Sequence, residues 1–270
     1  MCEFCVKHGE GKKWYLQVKN YLEDVLTDEA RQFTLWLYEN LESWAAHGWA
    51  ALDRSDNPDE ALRKTFTEMK KMHWGQVIPL EDVEKILDMT LNIVRTPCLC
   101  RTALHGVGDA RFCFHVVASE SDFWKDMFEQ WPDVSRELDV LTNEETKREF
   151  QKFDRQGLVH TVWSYGPPFI GALCNCSPTD CLSFRSMRFG EQRPFFKAEY
   201  VTAIDIEKCN GCRDCIKFCH FGAINYSHAS EKCTVNQLQC LGCGLCRTAC
   251  PRDAITLFDR NAIPVLANEW

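Results

Sequence analysis

Residues 209–219 read CNGCRDCIKFC and residues 240–251 read CLGCGLCRTACP. Both runs space their cysteines as Cys-x2-Cys-x2-Cys-x3-Cys: Cys209, Cys212, Cys215 and Cys219 in the first, Cys240, Cys243, Cys246 and Cys250 in the second. Identical internal spacing, repeated about thirty residues apart, is hard to obtain by accident. Cysteines at two-residue gaps wrap a tight loop that turns three thiols toward one centre, while the fourth starts the following helix and faces away. Gly211, Gly242 and Gly244 lie inside these loops, where the missing side chain lets backbone amides approach sulfur. Cys-x2-Cys pairs also suit tetrahedral zinc, but zinc sites seldom use such a four-cysteine run twice over.

Working outward, the chain holds 17 cysteines in 270 residues, more than core filling explains. The amino terminus, MCEFCVKHGEGKKWY, has no apolar run after its basic positions, so no signal peptide is read there and a cytoplasmic location is expected. In a reducing compartment, dense cysteine points to metal ligation rather than to disulfides. No stretch approaches the roughly 20 apolar residues that span a bilayer, so no transmembrane segment is expected. A formal charge of −8 argues against a nucleic-acid surface and suits a basic protein partner. With 45% hydrophobic residues the chain can bury a core, and its length allows about two domains.

The expected fold class is α+β, in three regions. Residues 1–95 read as a helical region carrying an amino-terminal Cys2-x2-Cys5-x2-His8 element. Phe33, Leu37, Leu41 and Trp44 recur at helical spacing behind a start signal at Thr27 and Asp28. Asn57, Pro58 and Glu60 announce a second helix with Leu62, Phe66 and Met69 on one face, and Pro79 opens a third with Val83, Ile86, Leu87 and Thr90 inward. Aromatic stripes at this spacing are assigned to packing. Residues 96–199 form a mixed α/β, cysteine-rich middle region. There 121–130 reads as a helix, Thr142 with Glu145 makes a capping box for a helix ended by Gly157, and LVHTVW reads as a strand. His160, in that strand, is taken as a hydrogen-bonded structural residue. The HGVGDA segment lacks the third glycine of a dinucleotide loop, and no flavin, nicotinamide or nucleotide site is read. Residues 200–262 carry the two cysteine runs, and 263–270 form a tail.

With its β-prone segments YVTAIDI, AINYS, KCTVN and AITLF around the two runs, the third region resembles bacterial-type two-cluster ferredoxins. The resemblance implies two 4Fe–4S clusters, one on Cys209, Cys212, Cys215 and Cys250 and the other on Cys240, Cys243, Cys246 and Cys219. His220 stands where proline usually follows the fourth cysteine, and its plain reading is a solvated surface residue.

Nine cysteines remain. Cys233 reads as a small hydrophobe of the hairpin. Cys98-Leu99-Cys100 and Cys174-Asn175-Cys176 are two Cys-x-Cys pairs, each with one more cysteine nearby, Cys113 and Cys181. In an extended segment residues i and i+2 share a face, so each pair can present two thiolates to one centre. PCLCR and FIGALCNCSPTDC ahead of a two-cluster segment resemble a group of iron–sulfur binding proteins from strict anaerobes, although those carry more cysteines where this chain has Ser177. One or two further iron–sulfur clusters are therefore expected on Cys98, Cys100, Cys113, Cys174, Cys176 and Cys181, with Cys2 and Cys5 as contributors to a second; zinc on the same cysteines stays open. Two functions follow. One is a one-electron carrier, a subunit or partner of an anaerobic redox system. The other is a reductase whose middle-region cluster binds substrate and is fed by its own ferredoxin domain. Arg101, Arg185 and Arg188 then serve as counter-charges or as anchors for an anionic substrate.

Overall fold

The computed structural model describes residues 13–36, 38–40, 60, 63–64, 67–68, 73–106, 109–131, 138–187 and 195–267. Cys2, Cys5, His8, Arg188, and the expected helix positions Leu37, Leu41, Trp44, Asn57, Pro58, Leu62, Phe66 and Met69 lie outside them. Among the described residues no helix is long and apolar enough to cross a membrane.

Strands β1 (Gly75–Val77), β2 (Asn92–Thr96), β3 (Cys113–Val117), β4 (Asp139–Val140), β5 (Val159–Ser164) and β6 (Ile170–Cys176) form one sheet. Its order is β1-β5-β6-β3-β2-β4, with every pairing antiparallel. Helices α1 (Leu80–Met89) and α4 (Asn143–Arg155) cover one face. Val83, Ile86 and Leu87 of α1 recur at i, i+3 and i+4 and are fully buried, the amphipathic stripe of a helix laid on a core. They pack with Phe150 and Phe153 of α4 and with Phe114, Val116, Val162 and Leu173 of the sheet. Helix α4 begins at a capping box: the Glu145 N–H donates to Thr142 Oγ1 at 3.2 Å and the Thr142 N–H to Glu145 Oε2 at 3.0 Å. It stops ahead of Gly157, whose φ of +80° suits a residue without Cβ.

Helix α3 (Phe123–Phe128), residues 26–36 and Tyr38 lie on the other face, where Trp124, Phe128, Tyr165 and Phe169 pack with Leu26 and Ala30. The helix starting after Thr27 does so with the Ala30 N–H on Thr27 Oγ1 at 3.2 Å. Phe33 departs from the expected inward stripe: it is exposed and stacks with Trp36. The inward side is Leu26, Ala30 and Thr34, because small residues let this helix lie close to aromatic neighbours. The segment expected to be helical to residue 95 also contains β1 and β2, and the boundary at 95 falls inside β2. Runs as brief as Gly75–Val77 cannot be told from helix by periodicity.

Strands β7 (Tyr200–Ile204) and β10 (Ile255–Asp259) pair antiparallel, as do β8 (Ile224–Ser227) and β9 (Lys232–Val235). Two short helices, α6 (Asp214–Lys217) and α7 (Leu245–Thr248), follow the cysteine loops. Residues 195–199, leading into this module, are buried rather than a linker. Phe196 exchanges backbone hydrogen bonds with β1, and Gln76 Nε2 donates to Lys197 O at 3.0 Å. The module is thereby fastened to the large sheet, and its cysteines come close to those of the middle region.

Candidate metal centres

The two cysteine runs interlock. One cavity is lined by Cys240, Cys243 and Cys246 together with Cys219 from the other run, closed by Phe218, Phe221 and Leu241. The second is lined by Cys209, Cys212 and Cys215 together with Cys250, closed by Ile204 and Ile255. The halves match under a shift of 31 residues, from Cys209 to Cys240. Gly211 and Gly242 correspond, with φ of +71° and +74°. A Cβ would sit 2.2 Å from Glu231 O at Gly211 and 2.1 Å from Tyr200 O at Gly242, so neither position has room for a side chain. Backbone donors correspond as well: the N–H of Ala223 points to Cys219 Sγ at 3.2 Å and that of Ala254 to Cys250 Sγ at 3.4 Å. Apolar walls, four thiols and inward amides are the donor set a cubane cluster requires.

Burial pushes the Cys246 thiol up to about 12, with Cys240 and Cys219 adding to it, and pushes Cys215 up as well, with Cys233 beside it. Without metal these groups are held as neutral thiols, so ligation must expel protons. Cys212 is exposed, which makes the first-run cavity, the one lined by Cys209, Cys212 and Cys215, the one nearer solvent.

The shift of 31 residues also pairs Thr202 with Cys233. Thr202 lines the second-run cavity with Oγ1 at 3.5 Å from Cys240 Sγ, and its hydroxyl also reaches Cys246. Cys233 lines the first-run cavity, beside Cys209 and Cys215. It is therefore not a packing residue remote from the site. The shift itself is the sequence signal that could have found both.

In the middle region, six thiols from four segments meet. Cys98 caps helix α2 (Leu99–His105) and Cys100 lies in its first turn; Cys113 opens β3; Cys174 and Cys176 end β6; Cys181 caps α5 (Leu182–Ser186). Cys113 and Cys174 are register partners with their sulfurs 3.7 Å apart. In the order Cys98, Cys113, Cys174, Cys176, Cys181, Cys100, each thiol is a neighbour of the next. Cys174 and Cys176 share a face, as strand periodicity dictates. Cys98 and Cys100 sit at a helix start rather than in an extended segment, and each joins a different end of the thiol chain. Hydrogen bonds from Cys174 and Cys98 hold Cys113 well below the usual thiol range, and hydrogen bonds from Cys174 and Cys181 hold Cys176 down at about 6. Among the described residues no three His, Cys, Asp or Glu side chains form a single-ion site, and the thiols are arrayed as an open chain rather than as a tetrahedron.

Arg101 is committed to this site: Nη1 donates to Cys98 Sγ at 3.4 Å, Nη2 pairs with Asp180 Oδ2 at 3.3 Å, and the guanidinium lies 3.8 Å over the Phe112 ring. On the opposite face of β5 and β6, the fully buried His160 places Nδ1 2.7 Å from Asn175 Oδ1 and Nε2 3.4 Å from Asp154, whose other oxygen accepts from Thr248 of α7. Burial raises the Asp154 carboxyl, but the partners His160 and Thr248 outweigh it and leave the group below its ordinary value. His220 is exposed yet tied by Nε2 to Gly157 O at 2.7 Å. The middle site and the second-run cavity share one apolar cluster containing Cys176, Cys181, Phe184, Phe195, Leu241 and Leu245, with Cys243 against it. Phe184, three residues past Cys181, lies 5.6 Å from Phe221, two residues past Cys219.

The comparisons with known proteins fall on the carboxy-terminal module. Residues 208–254 match a family described as 4Fe-4S dicluster domain. The chain is 34% identical over 59 residues to the archaeal-type glutamate synthase [NADPH] of Thermotoga maritima, covering 22% of this chain and 12% of that protein. It is 36% identical over 67 residues to the indolepyruvate oxidoreductase subunit IorA of Pyrococcus abyssi, 25% of this chain and 10% of that one. It is 37% identical over 54 residues to the pyruvate synthase subunit PorD of Methanothermobacter marburgensis, 20% of this chain and 60% of that one. The chain thus spans about a tenth of the length of the first two relatives and three fifths of the third. No solved structure matches. The similarity, like the interlocked geometry, is confined to one part of the chain, and residues 208–254 are a 4Fe–4S dicluster domain.

Proposed function

We propose that this chain is a multi-cluster iron–sulfur electron carrier, acting as a subunit or partner of an anaerobic oxidoreductase system. Cys209, Cys212, Cys215 and Cys250 would hold one cube, and Cys240, Cys243, Cys246 and Cys219 the other. Cys98, Cys100, Cys113, Cys174, Cys176 and Cys181 would hold a further iron–sulfur centre. When bound, such centres supply one-electron chemistry. The chain's part is to place the sulfurs, to aim the Ala223, Gly242 and Ala254 amides at them, and to exclude water with Phe184, Phe221 and Leu241.

The observation that carries this reading is the shared apolar cluster. Cys100, Cys174, Cys176 and Cys181 belong to the cluster that also holds Leu241 and Cys243 of the second-run cavity, whereas an isolated zinc site would have no need of that position. The exposed Cys212 marks the end at which a partner meets the carrier, and the buried middle site lies at the far end. Arg101, bound to Cys98 and Asp180, acts as a counter-charge. The test is iron, sulfide and zinc stoichiometry on anaerobically purified full-length protein and on a Cys113→Ala/Cys174→Ala variant. Iron and acid-labile sulfide above eight each per chain, falling to eight in the variant, is the expected result. Eight irons in both proteins, with or without zinc, would refute the middle centre.

A further inference from the structure

The first-run cavity is lined by five thiols rather than four, whereas its duplicate is lined by four thiols and one hydroxyl. The fifth is Cys233, on β9, 1% exposed. Its thiol lines the cavity beside Cys209, Cys212 and Cys215 and packs in one cluster with Cys215 and Cys209. The equivalent position across the duplication, Thr202, faces Cys240 in the same way but offers oxygen, a poor match for iron in a cluster where thiolate is the preferred ligand. The two halves correspond in their cysteines, in the left-handed Gly211 and Gly242 and in the inward amides of Ala223 and Ala254, so the exchange of hydroxyl for thiol is a chemical asymmetry between the two cavities' first cysteines.

We propose that Cys233 is an alternative ligand of the first-run centre, able to take the place of Cys209. This rests on the ligand sets proposed above. Cys233 is anchored on a paired strand, Tyr226 being its register partner, and Cys209 is half-buried in the loop beside it, so the exchange needs movement of the loop and not of the sheet. In the exchange the bond from iron to the Cys209 sulfur breaks and a bond from iron to the Cys233 sulfur forms. The Cys233 proton passes to the freed Cys209 thiolate, and no electron is gained or lost. The centre nearer solvent, where a cysteine is most open to displacement or oxidation, thereby has a second coordination state. The second-run centre, shielded by the middle region, has none.

The test is the iron and sulfide content of four full-length variants. Cys209→Ala is expected to keep the wild-type iron count, because Cys233 completes the site. Cys209→Ala/Cys233→Ala is expected to lose about four irons per chain, and Cys240→Ala, whose cavity has Thr202 in that place, the same number. Cys233→Ala alone should keep all its iron. The electron paramagnetic resonance of the reduced Cys209→Ala protein should differ from wild type, since one ligand has changed place, whereas a cysteine that only packs would leave nothing to hold the iron. If Cys209→Ala loses as much iron as the double variant, the proposal is overturned. Should Cys209→Ala lose the iron of both centres through unfolding, Cys209→Ser with and without Cys233→Ala decides in its place: iron retained regardless of Cys233 overturns it. Failure of the underlying ligand sets would look different, with Cys240→Ala and the double variant both retaining full iron.

Discussion

Thr202→Val isolates the effect of a single hydroxyl on the second-run centre. The side chain is 1% exposed and its Oγ1 lies 3.5 Å from Cys240 Sγ. Valine keeps the shape and removes the donor, so the change is electrostatic. A hydrogen bond to a charged acceptor is worth about 1.5–3 kcal/mol. Only the part that differs between the oxidised and reduced forms moves the potential. Taking that part as about 1 kcal/mol, the shift is about 40 mV for a one-electron couple, where a tenfold change in equilibrium corresponds to about 59 mV. The sign is fixed: a donor stabilises the more negative, reduced form, so its removal lowers the potential. Reductive titration of the full-length protein, followed by electron paramagnetic resonance, reads the two dicluster centres separately. The expected result is one centre shifted down and the other unmoved. A shift smaller than about 10 mV, or an upward one, would refute the claim that this hydroxyl donates to the ligand sulfur.

Gly242→Ala should cost far more than the roughly 1 kcal/mol of a left-handed alanine, because its Cβ meets Tyr200 O at 2.1 Å; Gly222→Ala, at φ +66° with open space around it, should cost only that amount. Equal thermal stability of the two variants would contradict the packing argument. Asp154→Ala, leaving His160 and Thr248 without their partner, should destabilise the chain by about 2 kcal/mol at neutral pH. Since the folded carboxyl lies below its unfolded value, that stabilisation is complete above the unfolded value and fades as pH falls through the folded one. The denaturation curves of the two proteins should converge in acid, and a difference that persists there would rule out the charged carboxylate as its source. Association with a redox partner should weaken with salt, because a chain of net charge −8 interacts over a screening length of about 8–10 Å; partner-reduction rates independent of ionic strength would show an apolar interface instead.

Local rules carried much of this structure. The double four-cysteine run specified the dicluster module, since the spacing is itself the coordination geometry. The capping box at Thr142 and Glu145, the glycine after α4 and the stripe Val83, Ile86, Leu87 are short-range patterns, and each appears where it was read. The strand periodicity of Cys174 and Cys176 was legible for the same reason. Long-range arrangement was not. β1 pairs with β5 and β2 with β3 across loops of unrelated composition, so a helical reading to residue 95 had nothing local to correct it. Phe33 turned outward while Ala30, packed against the same cluster as Trp124 and Phe128, and Thr34 took the inward side. That six thiols from four segments form one chain depends on α2 and α5 both starting at the same end of the sheet, which no sequence distance records. Nor did the sequence show that Phe184 meets Phe221: that contact exists because residues 195–199 bury themselves against β1 and bring the dicluster module down onto the middle site.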